Sequence, residues 1–313
     1  MIEVIKYNPK LKKDWDNFVK ESKNYHFMFY RDYMEYHSDR FEDYSLMFFY
    51  KGKLAGLLPA NKKNKILYSH GGLTFGGLIS NSKMTTPLML EIFKELISFL
   101  KKNEFKELLY KAIPYIYHLM PAEEDRYALF VNNAELYKRE ISSTIYLDKL
   151  SPFPERRKSG IRKAKKSGFN VEESKDFKTY MDIVSNLLKE KYGSKPVHSY
   201  EEIRYLAEKF PDNIKLFVAN DKNRTMQAGI IIYENPEIAH TQYIASTEEG
   251  RKAGAVDLIL DYLINEYYKD KKYFDFGTSN INEGKNINEG LISFKESFGA
   301  SGVVHDFYRI IIE

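Results

Sequence analysis

The chain of 313 residues has no cysteine, a single tryptophan and only a small excess of positive charge, a net +4. The absence of cysteine excludes disulfides, thiolate nucleophiles and cysteine-based zinc sites. No apolar run approaches the roughly 20 residues that a membrane-spanning helix needs. Residues 1–15 alternate apolar and charged side chains and lack the apolar core of a signal peptide, so we expect a cytoplasmic protein.

Several catalytic signatures are also missing. The chain has no Gly-x-Ser-x-Gly motif, and none of its seven histidines is spaced i, i+4 as on a zinc-binding helix. Gly277 and Gly284 enclose six residues where a phosphate-binding loop needs four. These absences argue against hydrolytic and redox enzymes and predict that there is no metal site.

What the sequence does contain is a pattern of elements that occurs twice. Apolar residues make up 43% of the chain and charged residues 29%, as in soluble globular proteins, and the length suits two domains. The order is strand, turn, strand, strand, glycine-containing loop, helix, strand. The first copy covers strands at 44–50, 54–60 and 65–70, a helix after Pro87 and a strand at 107–112. The second covers strands at 214–220, 226–233 and 237–244, a loop at 249–255, a helix around 258–267 and a strand at 273–276.

This repeat predicts an α/β (α+β) fold. A strand meander followed by a β-α-β crossover gives a mixed sheet that is antiparallel first and parallel at its end. We therefore predict two mixed-sheet units in tandem, one over residues 1–150 and the other over residues 151–313.

The stretch 275–300 has the composition of a functional loop. It leaves the last strand of the second unit, crosses a region rich in Asn and Gly, and enters a segment with apolar residues at helical spacing. Scaffolds commonly place ligand chemistry on loops that follow strands. A second notable stretch, residues 156–166, carries seven cationic side chains in eleven positions.

Three stretches resemble known proteins: residues 69–78, residues 156–168, and residues 275–277 together with 288–299. They resemble the GNAT N-acetyltransferase fold, duplicated as in the Fem peptidyltransferases, and with the repeat the likeness covers nearly the whole chain. The resemblance implies an acyltransferase. Phe294 and Lys295 are similar to the Phe-Lys pair near the reaction centre of Fem enzymes, where the cation would face an oxyanion or a phosphate. The alternative is a solvated helix lysine.

Carboxylates of the same stretch are candidates for the general base that an attacking amine requires. Asp275 and Glu289 are the main candidates, and Glu283 is a further one. Asp275 could instead cap backbone amides after its strand, and Glu283 could be a solvated loop residue. His240 and Tyr243 lie on the preceding strand and could reach the same cleft, although a histidine on a strand is more often structural.

Two features indicate phosphate binding. Arg251, Gly254 and Ala255 are similar to the diphosphate loop of acetyltransferases, whose amides would hold coenzyme A, but Val256 departs from that pattern. The cluster at 156–166, of which Arg156, Arg157, Arg162 and Lys163 are the leading residues, is predicted to bind substrate phosphates together with Asn288. Because the cluster has no interleaved aromatic residues, small phosphorylated ligands are favoured over tRNA, and no DNA partner is expected.

These observations favour a cytoplasmic N-acyltransferase that uses acetyl-coenzyme A or another acyl-coenzyme A. Its acceptor would be an amine on a nucleotide-linked or lipid-linked sugar for cell-surface polysaccharide, and peripheral contact with a membrane stays open. One alternative is a Fem-type transferase that uses aminoacyl-tRNA and a peptidoglycan precursor. Another is a non-catalytic protein that binds glycans or sugar nucleotides.

Overall fold

The computed structural model describes the backbone of residues 1–313 and every side chain except that of Tyr192. Contacts divide the chain into two compact units. The first comprises Met1–Ile141, Asn280–Asn286 and Val304–Glu313, and the second comprises Ser142–Ser279 and Ile287–Val303. The sequence-based boundary between residues 150 and 151 makes both domains continuous, whereas the chain returns to the first unit twice after residue 279.

The strands of the first unit are mostly short. In chain order they are β1 (Ile2–Lys6), β2 (Glu42–Asp43), β3 (Leu46–Tyr50), β4 (Lys53–Leu58), β5 (Asn61–Lys63), β6 (Ile66–Ser69), β7 (Ile79–Ser80) and β8 (Glu107–Lys111). β1, β3, β4 and β7 form one sheet, while β2, β5, β6 and β8 lie in another, where β6 runs parallel to β8. The three strands of the predicted meander therefore lie in two sheets. β3 pairs with β4, whose other neighbour is β7, whereas β6 pairs with β5 and β8.

Four α-helices accompany these strands: α1 (Lys12–Lys20), α2 (Arg31–Met34), α3 (Thr86–Lys102) and α4 (Glu124–Val131). Helix α3 confirms the helix predicted after Pro87. Thr85 caps its N-terminus by accepting a hydrogen bond from the Leu88 amide. Its apolar stripe is buried in the core of the unit and consists of Met89, Ile92, Phe93, Leu96 and Leu100.

The remaining elements follow β9 (Glu135–Tyr146), within which the unit boundary falls. The helices are α5 (Glu155–Lys166), α6 (Phe177–Tyr192), α7 (Tyr200–Lys209), α8 (Glu248–Ala253), α9 (Ala255–Tyr262), which continues into a π-helical turn (Leu263–Tyr267), and α10 (Glu289–Glu296). The strands are β10 (Asn170–Ser174), β11 (Ile214–Asn220), β12 (Met226–Glu234), β13 (Ile238–Ser246), β14 (Tyr273–Thr278), β15 (Asn280–Ile281), β16 (Asn286–Ile287) and β17 (Ser301–Ile311).

The second unit is built on a mixed sheet in the order β10-β11-β12-β13-β14-β9, to which β9 contributes the residues after Ile141. All neighbours are antiparallel except β13 and β14, which are parallel. This arrangement confirms the predicted antiparallel meander with a parallel pair at its end, and the α/β fold class with it. Buried side chains of α9, including Leu258 and Ile259, pack in one cluster with Phe217 and Ile230 of the sheet.

The prediction of a loop at residues 249–255 is wrong. Thr247 accepts a hydrogen bond from the Gly250 amide and so caps a short helix, α8. Gly254, with φ +84°, separates α8 from α9. The sequence analysis also missed β1, β10, α7 and β17. β10 was missed because this edge strand is largely exposed and has no buried apolar face, so its sequence lacks the alternation that indicates a strand.

Candidate active site

Two parallel strands of the second unit separate midway along their length. β13 and β14 pair only from Ile238 opposite Tyr273 to His240 opposite Asp275, although β13 continues to Ser246. Beyond Asp275 the backbone turns through Gly277, which has φ +74°. We call this opening the strand split. It leaves the edge of β13 after His240 without β14 as a ladder partner, so backbone donors and acceptors there can meet a ligand.

A histidine and an aspartate stand where the strand split begins. His240 Nδ1 lies 2.6 Å from Asp275 Oδ2. The other oxygen, Asp275 Oδ1, accepts hydrogen bonds from Ser142 Oγ at 2.5 Å and Thr144 Oγ1 at 2.7 Å. The Asp275 side chain is fully buried, whereas 13% of the His240 side chain is exposed. Asp275 is thus held on both oxygens, and its histidine partner is the member of the pair that reaches the surface.

Gly277 borders the histidine ring. A Cβ atom at this position would lie 3.1 Å from His240 Cε1 and 3.8 Å from Nε2. The positive φ already favours glycine here, and a glycine places no Cβ beside that edge of the imidazole.

Lys295 of α10 lies beside the same turn. Its ammonium donates hydrogen bonds to the carbonyl oxygens of Gly277 and Thr278, both at 2.8 Å. Burial lowers the pKa of Lys295 to about 8, and the negative charge of Asp275 acts in the opposite direction. Lys295 is only 4% exposed, so it is not the solvated helix lysine that composition alone allows.

Helix α10 is fixed at its start by Asn288. The Asn288 side chain accepts a hydrogen bond from the Leu291 amide at 3.0 Å, and its own amide donates to the Ser279 carbonyl at 2.8 Å. Asn288 therefore ties the beginning of α10 to the residues that follow β14.

A cavity of about 750 Å³ lies along the open part of β13. Its walls come from β13, α9, α10, α5 and α6, and include Ile244, Ser246, Val256, Asn288, Leu291 and Phe294. Arg156, Lys191 and Arg251 contribute cations to its lining, and each is exposed. A smaller cavity of about 430 Å³ shares Leu187, Lys191, Ser246 and Arg251 with it, so the two are continuous along α6.

Arg157, unlike Arg156, is committed to internal partners. Its guanidinium donates to Asp257 Oδ1 at 2.9 Å, to Ser297 Oγ at 2.7 Å and to the Phe294 carbonyl at 3.3 Å. It also stacks near the rings of Phe294 and Phe298, at 4.7 and 4.5 Å from their centres. Burial lowers the pKa of Arg157, an effect that the charge of Asp257 opposes. Arg157 therefore joins α5, α9 and α10, which makes it a structural cation in this arrangement.

The start of α9, where the sequence predicts a diphosphate cradle, is crowded by α5. A Cβ on Gly254 would come within 2.5 Å of the Gly160 carbonyl oxygen, and a Cβ on Gly160 would come within 2.1 Å of Asp257 Oδ2. Asp257, in the first turn of α9, also accepts the hydrogen bond from Arg157. The three predicted coenzyme residues are thus an exposed arginine (Arg251), a glycine packed against α5 (Gly254) and a buried alanine (Ala255).

The other predicted residues lie on the surface. Arg162 and Lys163 are exposed on α5, where Arg162 pairs with Glu155. Glu289 is exposed in the first turn of α10, and Glu283 is exposed in the segment that belongs to the first unit. The structure therefore brings Asp275 and Lys295 to the strand split, and it lines the cavity with Arg156, Arg157, Arg251, Gly254 and Asn288.

Ser142 and Thr144 are the site residues that sequence reasoning missed. They lie two positions apart on an extended strand and therefore share one face, opposite the end of β14, where Thr144 pairs with Asp275. The run of three small hydroxyl residues at 142–144 was the available signal, because hydroxyls can donate hydrogen bonds to a carboxylate.

The described residues contain no group of three or more His, Asp or Glu side chains that could hold a metal ion. None of the helices in the described part of the chain is both long and apolar enough to cross a lipid bilayer.

Neither the protein-family models nor the curated proteins yield a match to this chain. Solved structures do. FemX is 13% identical with a TM-score of 0.71, covering 99% of this chain and 97% of its own. The C-terminal domain of an Agrobacterium fabrum protein assigned as a lysylphosphatidylglycerol synthetase is 9% identical with a TM-score of 0.62, covering 98% of this chain and 92% of its own. A tandem GNAT protein from the clavulanic acid biosynthesis pathway is 11% identical with a TM-score of 0.50, covering 100% of this chain and 99% of its own. The chain therefore has a tandem GNAT-like fold that is also the fold of FemX, as the sequence resemblance implied.

Proposed function

We propose that this protein is an acyltransferase that moves an acyl group from a long carrier to an amine. The observation that carries the proposal is the strand split with its cavity. Both the hydrogen-bonded pair His240–Asp275 and the cation of Lys295 lie at the closed end of the split, and the cavity lies along its open part. The likeness in fold to FemX and to a tandem GNAT protein agrees with this chemistry but shows the fold alone.

The geometry suits a donor with an extended arm. Ser246 lies six positions beyond His240, which corresponds to about 20 Å along an extended strand. An arm laid along this edge can exchange hydrogen bonds with the open backbone of β13, as an added strand would. Its carrier then fills the cavity while its acyl group reaches the closed end.

Lys295 supplies the electrophilic assistance in this proposal. Its ammonium has three N–H bonds, and the two carbonyl oxygens of Gly277 and Thr278 account for two of them. The third can donate to the carbonyl oxygen of the acyl group, where negative charge develops as the amine attacks. Because the lysine is buried and fixed by two bonds, it needs little reorganisation during the reaction.

The crowding at α9 bears on the carrier. A coenzyme A diphosphate placed on the first amides of α9 would meet the Asp257 carboxylate and the backbone of Gly160. By contrast, α5 exposes cations from Arg156 to Lys166, along about 15 Å of its axis, including Lys158 and Lys163. A row of that length suits a polynucleotide backbone better than a single diphosphate. We therefore infer that the donor is an aminoacyl-tRNA, which reverses the preference that the sequence gives.

Acyl-coenzyme A is the second candidate donor. Arg251 favours it, because this exposed cation belongs to both connected cavities and could bind a phosphate that lies outside the α9 cradle. With acyl-coenzyme A the acceptor would be the predicted amine on a nucleotide-linked or lipid-linked sugar, and with aminoacyl-tRNA it would be the peptidoglycan precursor of the Fem-type alternative. In the third alternative, the non-catalytic binding protein, the same cavity would bind its ligand without turnover.

The donor can be identified with two labelled compounds. Purified protein is incubated with tRNA charged with radiolabelled amino acids, or with radiolabelled acetyl-coenzyme A, together with amine-bearing precursors, and label in the acceptor is counted. We expect transfer from charged tRNA, with binding that weakens steeply as salt rises. Replacing Arg162 and Lys163 by Ala should weaken tRNA binding and flatten that salt dependence. The exposed pair Lys101 and Lys102, at the end of α3, provides the matched control variant.

Transfer from acetyl-coenzyme A but not from charged tRNA would show that the donor is acyl-coenzyme A and not aminoacyl-tRNA. Binding without transfer from either donor, unchanged by Lys295→Ala, would indicate the non-catalytic alternative.

A further inference from the structure

We propose that His240 accepts the proton of the attacking amine and that Asp275 is its positioning residue. This inference rests on the proposed acyl transfer and differs from the sequence-based prediction, in which Asp275 or Glu289 was the base. It assigns a catalytic role to a strand histidine whose commonest interpretation is structural.

Asp275 cannot reach a substrate itself. Its side chain is fully buried, its Oδ1 atom is bonded by the hydroxyls of Ser142 and Thr144, and its Oδ2 atom faces His240 Nδ1. A buried carboxylate requires such partners, and here each partner also fixes its orientation. What Asp275 can do is act on the ring beside it.

The carboxylate determines which ring nitrogen of His240 is available as a base. An ionised carboxylate only accepts hydrogen bonds, so in the neutral imidazole Nδ1 carries the proton and donates it to Asp275. Nε2 then holds the lone pair. The ring edge that contains Cε1 and Nε2 is the edge beside Gly277, where a side chain would otherwise cover it. The charge of Asp275 also stabilises the imidazolium that forms when Nε2 takes a proton.

The position of His240 on the sheet supports this role. It is the last residue of β13 that pairs with β14, so it stands where the two strands diverge and where the acyl group of the proposed donor would end. The charged groups at this point are Asp275 from β14 and Lys295 from α10. The two groups have different roles in the proposed reaction. The Lys295 ammonium stabilises negative charge on the acyl oxygen, whereas His240 removes a proton from the attacking nitrogen.

The neutral amine nitrogen attacks the acyl carbon, a C–N bond forms, and the nitrogen loses its proton to His240 Nε2. The C–O bond to the carrier ribose breaks, and the departing oxygen takes the proton back from the imidazolium. The products are an amide and the free carrier hydroxyl. An amine that arrives as an ammonium releases one further proton to water.

The test uses the full-length protein and two substitutions. In His240→Asn the shorter amide can still donate to Asp275 but has no basic nitrogen, and in Asp275→Asn the amide donates to Nδ1 and so favours the wrong tautomer. We expect each to lower kcat by about 10²- to 10⁴-fold, with the Kd for charged tRNA unchanged. Tyr205→Phe is the control, because this exposed tyrosine of α7 lines neither cavity, and the variant should stay within about twofold of wild type.

A spectroscopic measurement covers the case in which a variant fails to fold. In wild-type protein labelled with ¹⁵N-histidine, the His240 signals should show a proton on Nδ1 and none on Nε2 when the ring is neutral. A proton on Nε2 would overturn the inference, as would His240→Asn retaining wild-type kcat and pH dependence. If wild type transfers no acyl group from either donor, the proposed function fails instead, which separates the two outcomes.

Discussion

Two lysines in this protein bind backbone carbonyl oxygens instead of carboxylates. Lys295 binds those of Gly277 and Thr278, and Lys111 binds those of His70 and Leu73 at 3.1 and 2.7 Å. Burial lowers the pKa of each to about 8. At the scale of the residue, an ammonium whose partners are uncharged loses hydration without gaining a full counter-charge. Such a cation titrates near neutral pH, and its protonation can be followed.

For Lys295 this gives a pH prediction. Because its pKa in the folded protein is about 8, the ammonium is present below pH 8 and lost above it, so the transfer rate should fall on the alkaline side near that pH. In Lys295→Arg the cation persists, and the alkaline limb should move to higher pH. Lys295→Ala should lower kcat by about 10²- to 10³-fold. Lys285→Ala, in an exposed part of the same loop region, is the control. The prediction would be contradicted if Lys295→Arg is active but its rate falls at the same alkaline pH as that of wild type.

A second residue-scale prediction concerns stability. Burial raises the pKa of Asp125 from 3.8 to about 6, against the lowering effect of the Tyr110 hydroxyl that it binds at 2.5 Å. The folded state therefore retains a proton that the unfolded state loses between these values. The contribution of Asp125 to the free energy of unfolding falls as pH rises through this window, by about 3 kcal/mol in total.

The substitution Asp125→Asn removes this titration. The stability of the variant relative to wild type should rise between pH 4 and pH 7, by up to about 3 kcal/mol, in urea unfolding at both pH values. A difference that is constant with pH would show that Asp125 ionises at its ordinary pKa in the folded protein.

At the scale of the element, the contact between α5 and α9 decides what the basic helix can do. Its buried residues Arg157, Ile161 and Ala164 recur at helical spacing and leave the other cations on the outer face. Glycines at both sides of the contact, Gly160 and Gly254, let the two backbones approach closely. This contact could not be predicted from the sequence, where Gly254 suggested a phosphate loop. The αL conformation and the close approach explain the same glycine without a ligand.

Gly254→Ala should therefore destabilise the protein strongly. The new Cβ would lie 2.5 Å from the Gly160 carbonyl oxygen, and the left-handed φ of +84° adds strain. We expect a loss of about 3 kcal/mol or more in the free energy of unfolding. Gly193→Ala is a matched control: Gly193 also ends a helix with positive φ, but nothing lies within 4 Å of its added Cβ, so only about 1 kcal/mol should be lost. Equal losses would show that the backbone contact is unimportant.

At the scale of the whole molecule, each compact unit contains segments that are distant in sequence. In the first unit the end of β17 pairs with β8, from Phe307 opposite Lys111 to Ile311 opposite Glu107. Asp306, which is 1% exposed, accepts hydrogen bonds from Arg126 and Arg139. The predicted domain of residues 1–150 contains β8, Arg126 and Arg139 but lacks β17 and Asp306. Its boundary follows a break in the sequence, whereas the structure closes the unit with the C-terminal strand.

The fragment of residues 1–150 should therefore not fold cooperatively by itself. It lacks the strand that pairs with β8 and the buried side chains of Ile310 and Ile312. Circular dichroism on heating should show no sharp transition for this fragment. The same fragment joined through a Gly/Ser linker to residues 301–313 should recover one. Equal cooperativity of the two proteins would contradict the prediction and support the continuous domain.

The sequence by itself determined the fold class and many, though not all, of the local elements. Apolar periodicity placed α3, the meander β11–β13 and the helix that carries Lys295, because these patterns report burial of one face. The resemblance carried by residues 69–78, 156–168, and 275–277 with 288–299 pointed to the fold before any contact was known. Only the tertiary structure showed which of the candidate carboxylates is buried and which side chain it contacts: Asp275, beside His240. Asp275, Ser142 and His240 come from three separate strands. Asp275 lies 35 positions from His240 and 133 positions from Ser142, so their meeting depends on long-range strand pairing that no local pattern encodes.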